Sequence, residues 1–139
     1  MPLNCASYSK RWWHFGPSLL VLIGITYLSL IKDAPFAMMA DVPLADKWGH
    51  MVAYMVLALC LARDSYRARL NTYMLYTVAV LLPVAYGGLM EWAQYYFPPR
   101  MCEWSDWLAD GIGTILGVTA FAIYQLWISR KSKRQTQQQ

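Results

Sequence analysis

Charge is what this sequence has least of. Only 14% of its 139 residues are Asp, Glu, Lys or Arg while 58% are hydrophobic, a balance too apolar for a soluble domain of this length. Cysteine is scarce as well. Cys5, Cys60 and Cys102 are an odd number without CxxC spacing, so they specify neither a metal site nor a disulfide framework. No HExxH is present, which removes the metalloprotease pairing of two histidines on one helical face. Internal repeats and linkers that would mark a second domain are also missing. What remains is the composition of a membrane protein, and seven Trp and ten Tyr suit it because amphipathic rings gather where hydrocarbon meets headgroups.

Four apolar segments stand out, at about Trp12 to Ile31, Trp48 to Ala62, Thr72 to Phe97 and Trp107 to Ile128. Crossing about 30 Å of hydrocarbon takes roughly 20 helical residues, so the second segment is short and the third long. The first follows Lys10 and Arg11 as a signal peptide would. Its apolar stretch is long, however, and no small-x-small cleavage site follows before Pro35, so a retained span is expected. The expected fold is all-α: a polytopic membrane protein with four transmembrane helices in one domain over residues 1–129. A polar, basic, disordered tail is expected over 130–139.

Nine of the twelve basic residues fall on one side of these spans, leaving Lys32, Lys47 and Arg100 on the other. Lys and Arg in short loops mark the cytoplasmic side, so both termini are expected there, in a multi-pass protein of the cytoplasmic membrane. The net charge of +4 is then an orientation signal, and for the tail an attraction to anionic lipid, not a sign of nucleic-acid binding. Acids distribute the other way: seven of the eight, including Asp46, Glu91, Glu103, Asp106 and Asp110, belong to the outer side and only Asp64 to the inner.

A rise of about 1.5 Å per residue turns sequence distance into depth. Glu91 lies 22 residues from Arg69 and Asp110 lies 20 from Arg130, which places both near the outer boundary. His50 is only 13 residues from Arg63 and is expected deeper, roughly 10 Å below the outer edge, where the short segment either thins the membrane or forms the floor of a wet depression. Spacing also assigns faces. Asp46, His50 and Tyr54 form an i, i+4, i+8 stripe; Gly87, Glu91 and Gln94 share a face above an expected kink at Pro83; Asp106, Asp110, Gly113 and Gly117 share another. Gly113 and Gly117 form a GxxxG that admits close helix approach. Spans two and four enter from outside, so their positive dipole ends favour an anion there, and Arg100 in "FPPRMCEWS" can fork onto a phosphate or carboxylate.

Three blocks, "DKWGHMVAYMVLAL", "EWAQYYFPPR" and "SDWLADGIGTILG", together resemble the VanZ-like proteins in order and spacing over about Asp46 to Gly117. Asp46, Lys47, His50, Tyr54, Glu91, Gln94, Arg100, Ser105, Asp106, Gly113 and Gly117 match; Asp110 stands where that family usually has Asn. The resemblance implies a small polytopic bacterial membrane protein, in a family named for a member associated with low-level teicoplanin resistance. It does not supply a mechanism.

Site physics and resemblance together predict an outward-facing pocket for an anionic lipid headgroup or lipid-linked envelope precursor. Its expected catalytic groups are His50, Glu91 and Asp106, with Asp46, Lys47, Tyr54, Gln94, Arg100 and Asp110 binding the substrate. A variant places a divalent cation between Glu91, Asp106 and Asp110, with His50 as a fourth ligand. The alternative is a binding module without chemistry, for a lipid, an antibiotic or a partner protein. A small transporter ranks lowest, because the first span carries no acid. Simpler readings stand beside these: Asp46 as a cap of span two, Ser105 and Asp106 as caps of span four, His50 as a buried helix lock, glycines as packing residues and aromatics as interface anchors.

Overall fold

Local capping devices account for one of the junctions between elements. In the computed structural model, which describes residues 13–30, 44–96 and 103–136, a short 3-10 turn at Trp13–Phe15 leads into α1 (Gly16–Leu30). Then follow α2 (Ala45–Arg67), α3 (Thr72–Gln94) and α4 (Trp104–Thr136). Asn71 caps α3, its side-chain oxygen accepting the Met74 N–H at 2.8 Å. The close of α2 is a Schellman turn: Arg69 takes a left-handed φ of 55°, Leu70 N–H reaches the Ser65 carbonyl at 3.1 Å and Arg69 N–H the Tyr66 carbonyl at 3.0 Å. Both devices sit at one end of the bundle and set α2 and α3 side by side.

Three of these helical stretches, Trp13–Leu30, Thr72–Gln94 and Trp104–Thr136, are long and apolar enough to cross a membrane. At 23 residues α2 spans about 34 Å. That is longer than its apolar run suggested, since the helix continues through Asp46 and Lys47 at one end and Arg63, Asp64 and Arg67 at the other; these polar ends leave it short of the same apolarity. A second difference lies at the other end of the chain. Residues 130–136, expected to be disordered, continue α4, because nothing between Ile128 and Thr136 breaks a helix: the stretch holds no Gly or Pro. Pro83 lies inside α3 as expected.

Helix α2 is the centre of the bundle, packing on α1, α3 and most extensively on α4. Its Tyr54, Leu57 and Leu61 join Ile25, Leu75 and Phe121 in a buried core. Closeness to α4 comes from the GxxxG pair. A Cβ at Gly113 would strike the Met51 carbonyl oxygen, and one at Gly117 the Met55 carbonyl oxygen, so backbone meets backbone with no room for a side chain. The outside is apolar: Leu20, Ile23, Leu81, Ile115, Ile123 and Trp127 are all exposed, a surface that lipid rather than water solvates.

Candidate functional site

The helices run alternately up and down, so the starts of α2 and α4 and the end of α3 meet at one end of the bundle. That end collects the polar side chains. Lys47 and His50, three residues apart on α2, face Asp106 and Asp110, four apart on α4. Lys47 Nζ donates to Asp106 Oδ1 at 2.8 Å and to Glu103 Oε2 at 2.9 Å. The His50 ring lies between the two aspartates: Nδ1 is 3.0 Å from Asp110 Oδ1, and Nε2 is 4.0 Å from Asp106 Oδ2. From α3, Glu91 Oε2 accepts the backbone N–H of Glu103 at 3.1 Å, satisfying a donor at the start of α4 from a neighbouring helix.

Burial separates these groups. Asp110 is 1% exposed and Glu91 4%, yet each has one oxygen, Asp110 Oδ2 and Glu91 Oε1, without a hydrogen-bond partner among the described residues. Glycine makes room for the first of these: a Cβ at Gly87 would lie 2.5 Å from Asp110 Oδ2, so α3 admits the carboxylate only where it has no side chain. Glu103 is exposed, and its carboxyl is held below the ordinary range by the Lys47 hydrogen bond, with help from the Ser105 hydroxyl 3.2 Å away.

Not every expected site residue reaches this cluster. Gln94 is buried, but its amide donates to the Ser29 carbonyl at 3.2 Å, closing the end of α1. Tyr54 is 1% exposed, its hydroxyl without a hydrogen-bond partner among the described residues and its ring 6.4 Å from that of Tyr86. Asp46 is exposed in the first turn of α2, where the helix dipole favours an acid. It is not the cap, a position held by Leu44 without a side-chain hydrogen bond. Asp106 likewise turns to Lys47 rather than capping α4. Arg100 lies outside the described residues.

Among the described residues, donor atoms assemble into two groups within which all lie closer than 4.8 Å: Asp46, His50 and Asp106, and, more deeply, His50, Glu91 and Asp110. The expected cation set of Glu91, Asp106 and Asp110 with His50 is thus divided, because Lys47 draws Asp106 to the other side of the imidazole. Beside His50, between α1 and α2, lies a cavity of about 50 Å³ lined by Ile25, Ser29, Asp46 and Tyr54 among others. A volume of that size holds a few waters, not a headgroup. Two partners carry no spacing signal in the sequence: Glu103, at the very start of α4, binds Lys47, and Asp64 on α2 binds Ser18.

The sequence model of the family described as VanZ/LLP1 matches residues 7–127. Neither a curated protein nor a solved structure matches the chain.

Proposed function

The chain belongs to the VanZ/LLP1 family, and from that premise we propose an envelope protein whose four helices all cross the cytoplasmic membrane, with both chain ends in the cytoplasm. The polar end then faces outward and receives the anionic headgroup of a lipid or a lipid-linked envelope precursor. One observation carries this reading: His50, held at 3.0 Å by buried Asp110 and flanked by Asp106, stands where Glu91 arrives from a third helix. Packing alone does not call for such a set, since polar groups at membrane depth are expensive and collect where they serve a cavity or a ligand.

In this reading His50 is the general base, in the tautomer whose Nδ1–H donates to Asp110, which leaves Nε2 to accept a proton. Glu91 and Asp106 are the other acid–base groups, and Lys47 with Arg100 meets the negative charge of the substrate. A link to glycopeptide susceptibility is part of the proposal. A second reading, a module that holds a headgroup, an antibiotic or a partner protein without changing it, draws on the way Lys47, Glu103 and Asp106 already saturate one another.

The test is direct. Purified protein in nanodiscs is incubated with anionic phospholipids and lipid-linked precursors, and ligands are followed by mass spectrometry alongside His50→Ala. A product lost in the variant supports catalysis; retention without change supports the binding module; neither retention nor product defeats both. Teicoplanin susceptibility of cells expressing either form reads the resistance link, and labelling of cysteines placed at positions 103 and 134 from each side of the membrane reads the orientation.

A further inference from the structure

The well proposed for an anionic group is lined by carboxylates. Asp46, Glu91, Glu103, Asp106 and Asp110 stand against one lysine and one imidazole among the described residues, and that lysine is already bound to two of the acids. The two deepest acids fare worst. Among the described residues, the carboxylates of Glu91 and Asp110 meet only the Glu103 backbone N–H and His50, and each keeps a buried oxygen with no partner. Desolvated carboxylates with unused lone pairs are costly unless something positive is placed between them.

We infer that His50, Glu91 and Asp110 are the ligands of a divalent transition-metal ion, of the Zn²⁺ or Mn²⁺ kind. Their donor atoms lie within 4.8 Å of one another, and bonds of about 2.0–2.2 Å set donor separations of roughly 3–4 Å around such an ion, so a small closure completes the site. The 3.0 Å between His50 Nδ1 and Asp110 Oδ1 is the spacing of a hydrogen bond and equally of two adjacent ligands. Glu91 Oε1 and Asp110 Oδ2, on two of the three ligand residues, are buried and keep unused lone pairs.

Chemistry chooses this group over the shallower one of Asp46, His50 and Asp106. Asp106 is neutralised by Lys47 Nζ at 2.8 Å, which repels a second cation, and Asp46 is exposed to competition from solvent. Asp106 has a different part. Its Oδ2 lies 4.0 Å from His50 Nε2, so a small shift lets it accept a hydrogen bond from Nε2–H once Nδ1 is bound to metal, the carboxylate–histidine–metal arrangement that orients an imidazole ligand. A nitrogen donor favours Zn²⁺ or Mn²⁺ over Mg²⁺ and Ca²⁺, and three protein ligands leave a position open. That open position is where an anionic headgroup would bind. This last clause alone rests on the proposed function; in the ion-loaded form His50 is a ligand and no longer the free base.

Tag-free full-length protein in zwitterionic nanodiscs, dialysed against Zn²⁺, Mn²⁺ or Mg²⁺, reads the site without any substrate. One Zn²⁺ or Mn²⁺ per chain is expected, with Glu91→Gln weakening it by more than about 100-fold and Asp106→Asn by about 10–100-fold. Circular dichroism checks that the variants fold. Should Glu91→Gln not fold, Mn²⁺ added to the wild type decides instead, by broadening the NMR signals of His50 while sparing those of His14, the other histidine of the chain. Absence of stoichiometric binding, equal affinity for Mg²⁺, no selective broadening of His50, or loss with Asp46→Asn but not Glu91→Gln each overturns the inference. Because no anionic lipid is present, failure here is distinct from failure of the headgroup reading.

Discussion

Asp64 on α2 accepts two hydrogen bonds from Ser18 on α1 through a single oxygen, Oδ2: the backbone N–H at 3.1 Å and the hydroxyl at 2.6 Å. Ser18 lies in the first turn of its helix, where N–H groups have no partner within the helix, and Asp64 supplies one from a neighbouring helix together with a charge that suits the dipole. The acid that sequence reading left alone on the basic side thus fastens two helices. It is fully buried, and Arg63 Nη1 approaches its other oxygen at 3.4 Å.

Removing this clasp is expected to be costly. Asp64→Ala leaves a buried N–H and a hydroxyl unsatisfied and should lower stability by about 2–4 kcal/mol. Ser18→Ala removes only the hydroxyl bond to a charged group and should lose about 1.5–3 kcal/mol. Thermal unfolding in detergent, followed by circular dichroism, measures both.

Two glycines should respond in opposite directions. Gly113→Ala drives a methyl into the Met51 carbonyl oxygen, which cannot rotate away, and is expected to cost about 1–3 kcal/mol with separation of α2 from α4. Gly24→Ala meets nothing within 4 Å and should be neutral or stabilise α1 by up to about 1 kcal/mol. The same unfolding assay compares them.

Tyr54→Phe separates stability from ligand binding. Its hydroxyl is buried without a partner, so deleting it is expected to leave the fold unchanged or raise its stability by about 1 kcal/mol. If the hydroxyl serves a headgroup, nanodisc retention of that lipid falls in the same variant; unchanged retention removes Tyr54 from the site.

The Lys47–Glu103 contact has a predictable acid limit. Lys47 holds the Glu103 carboxyl below its ordinary value of 4.5, so the folded state binds that proton less readily than the unfolded chain. Its contribution is therefore present above that value and lost as the pH falls through the lower folded-state value. Melting curves of wild type and Glu103→Gln should differ above pH 4.5 and converge below it. Since Glu103 is solvent-exposed, the difference should be small and should shrink with added salt.

Periodicity and composition determined a good deal of this protein. Apolar runs announced membrane helices, the i, i+4 stripes put His50, Glu91, Asp106 and Asp110 on inward faces, and the GxxxG of α4 marked the closest packing. Those features are local, because the helix repeat alone converts spacing into a shared face. Helix ends were less legible: α2 continues past its apolar run and α4 past Ile128, since backbone hydrogen bonding continues after hydrophobicity stops. Partner choice was not legible at all. That Lys47 takes Asp106 while His50 takes Asp110, that Gln94 turns to Ser29, and that Asp64 reaches Ser18 depend on how far each helix is rotated and how closely two backbones approach. Only the packed bundle fixes those quantities, because a side chain selects its partner from what lies across the interface and not from its own neighbours in the chain.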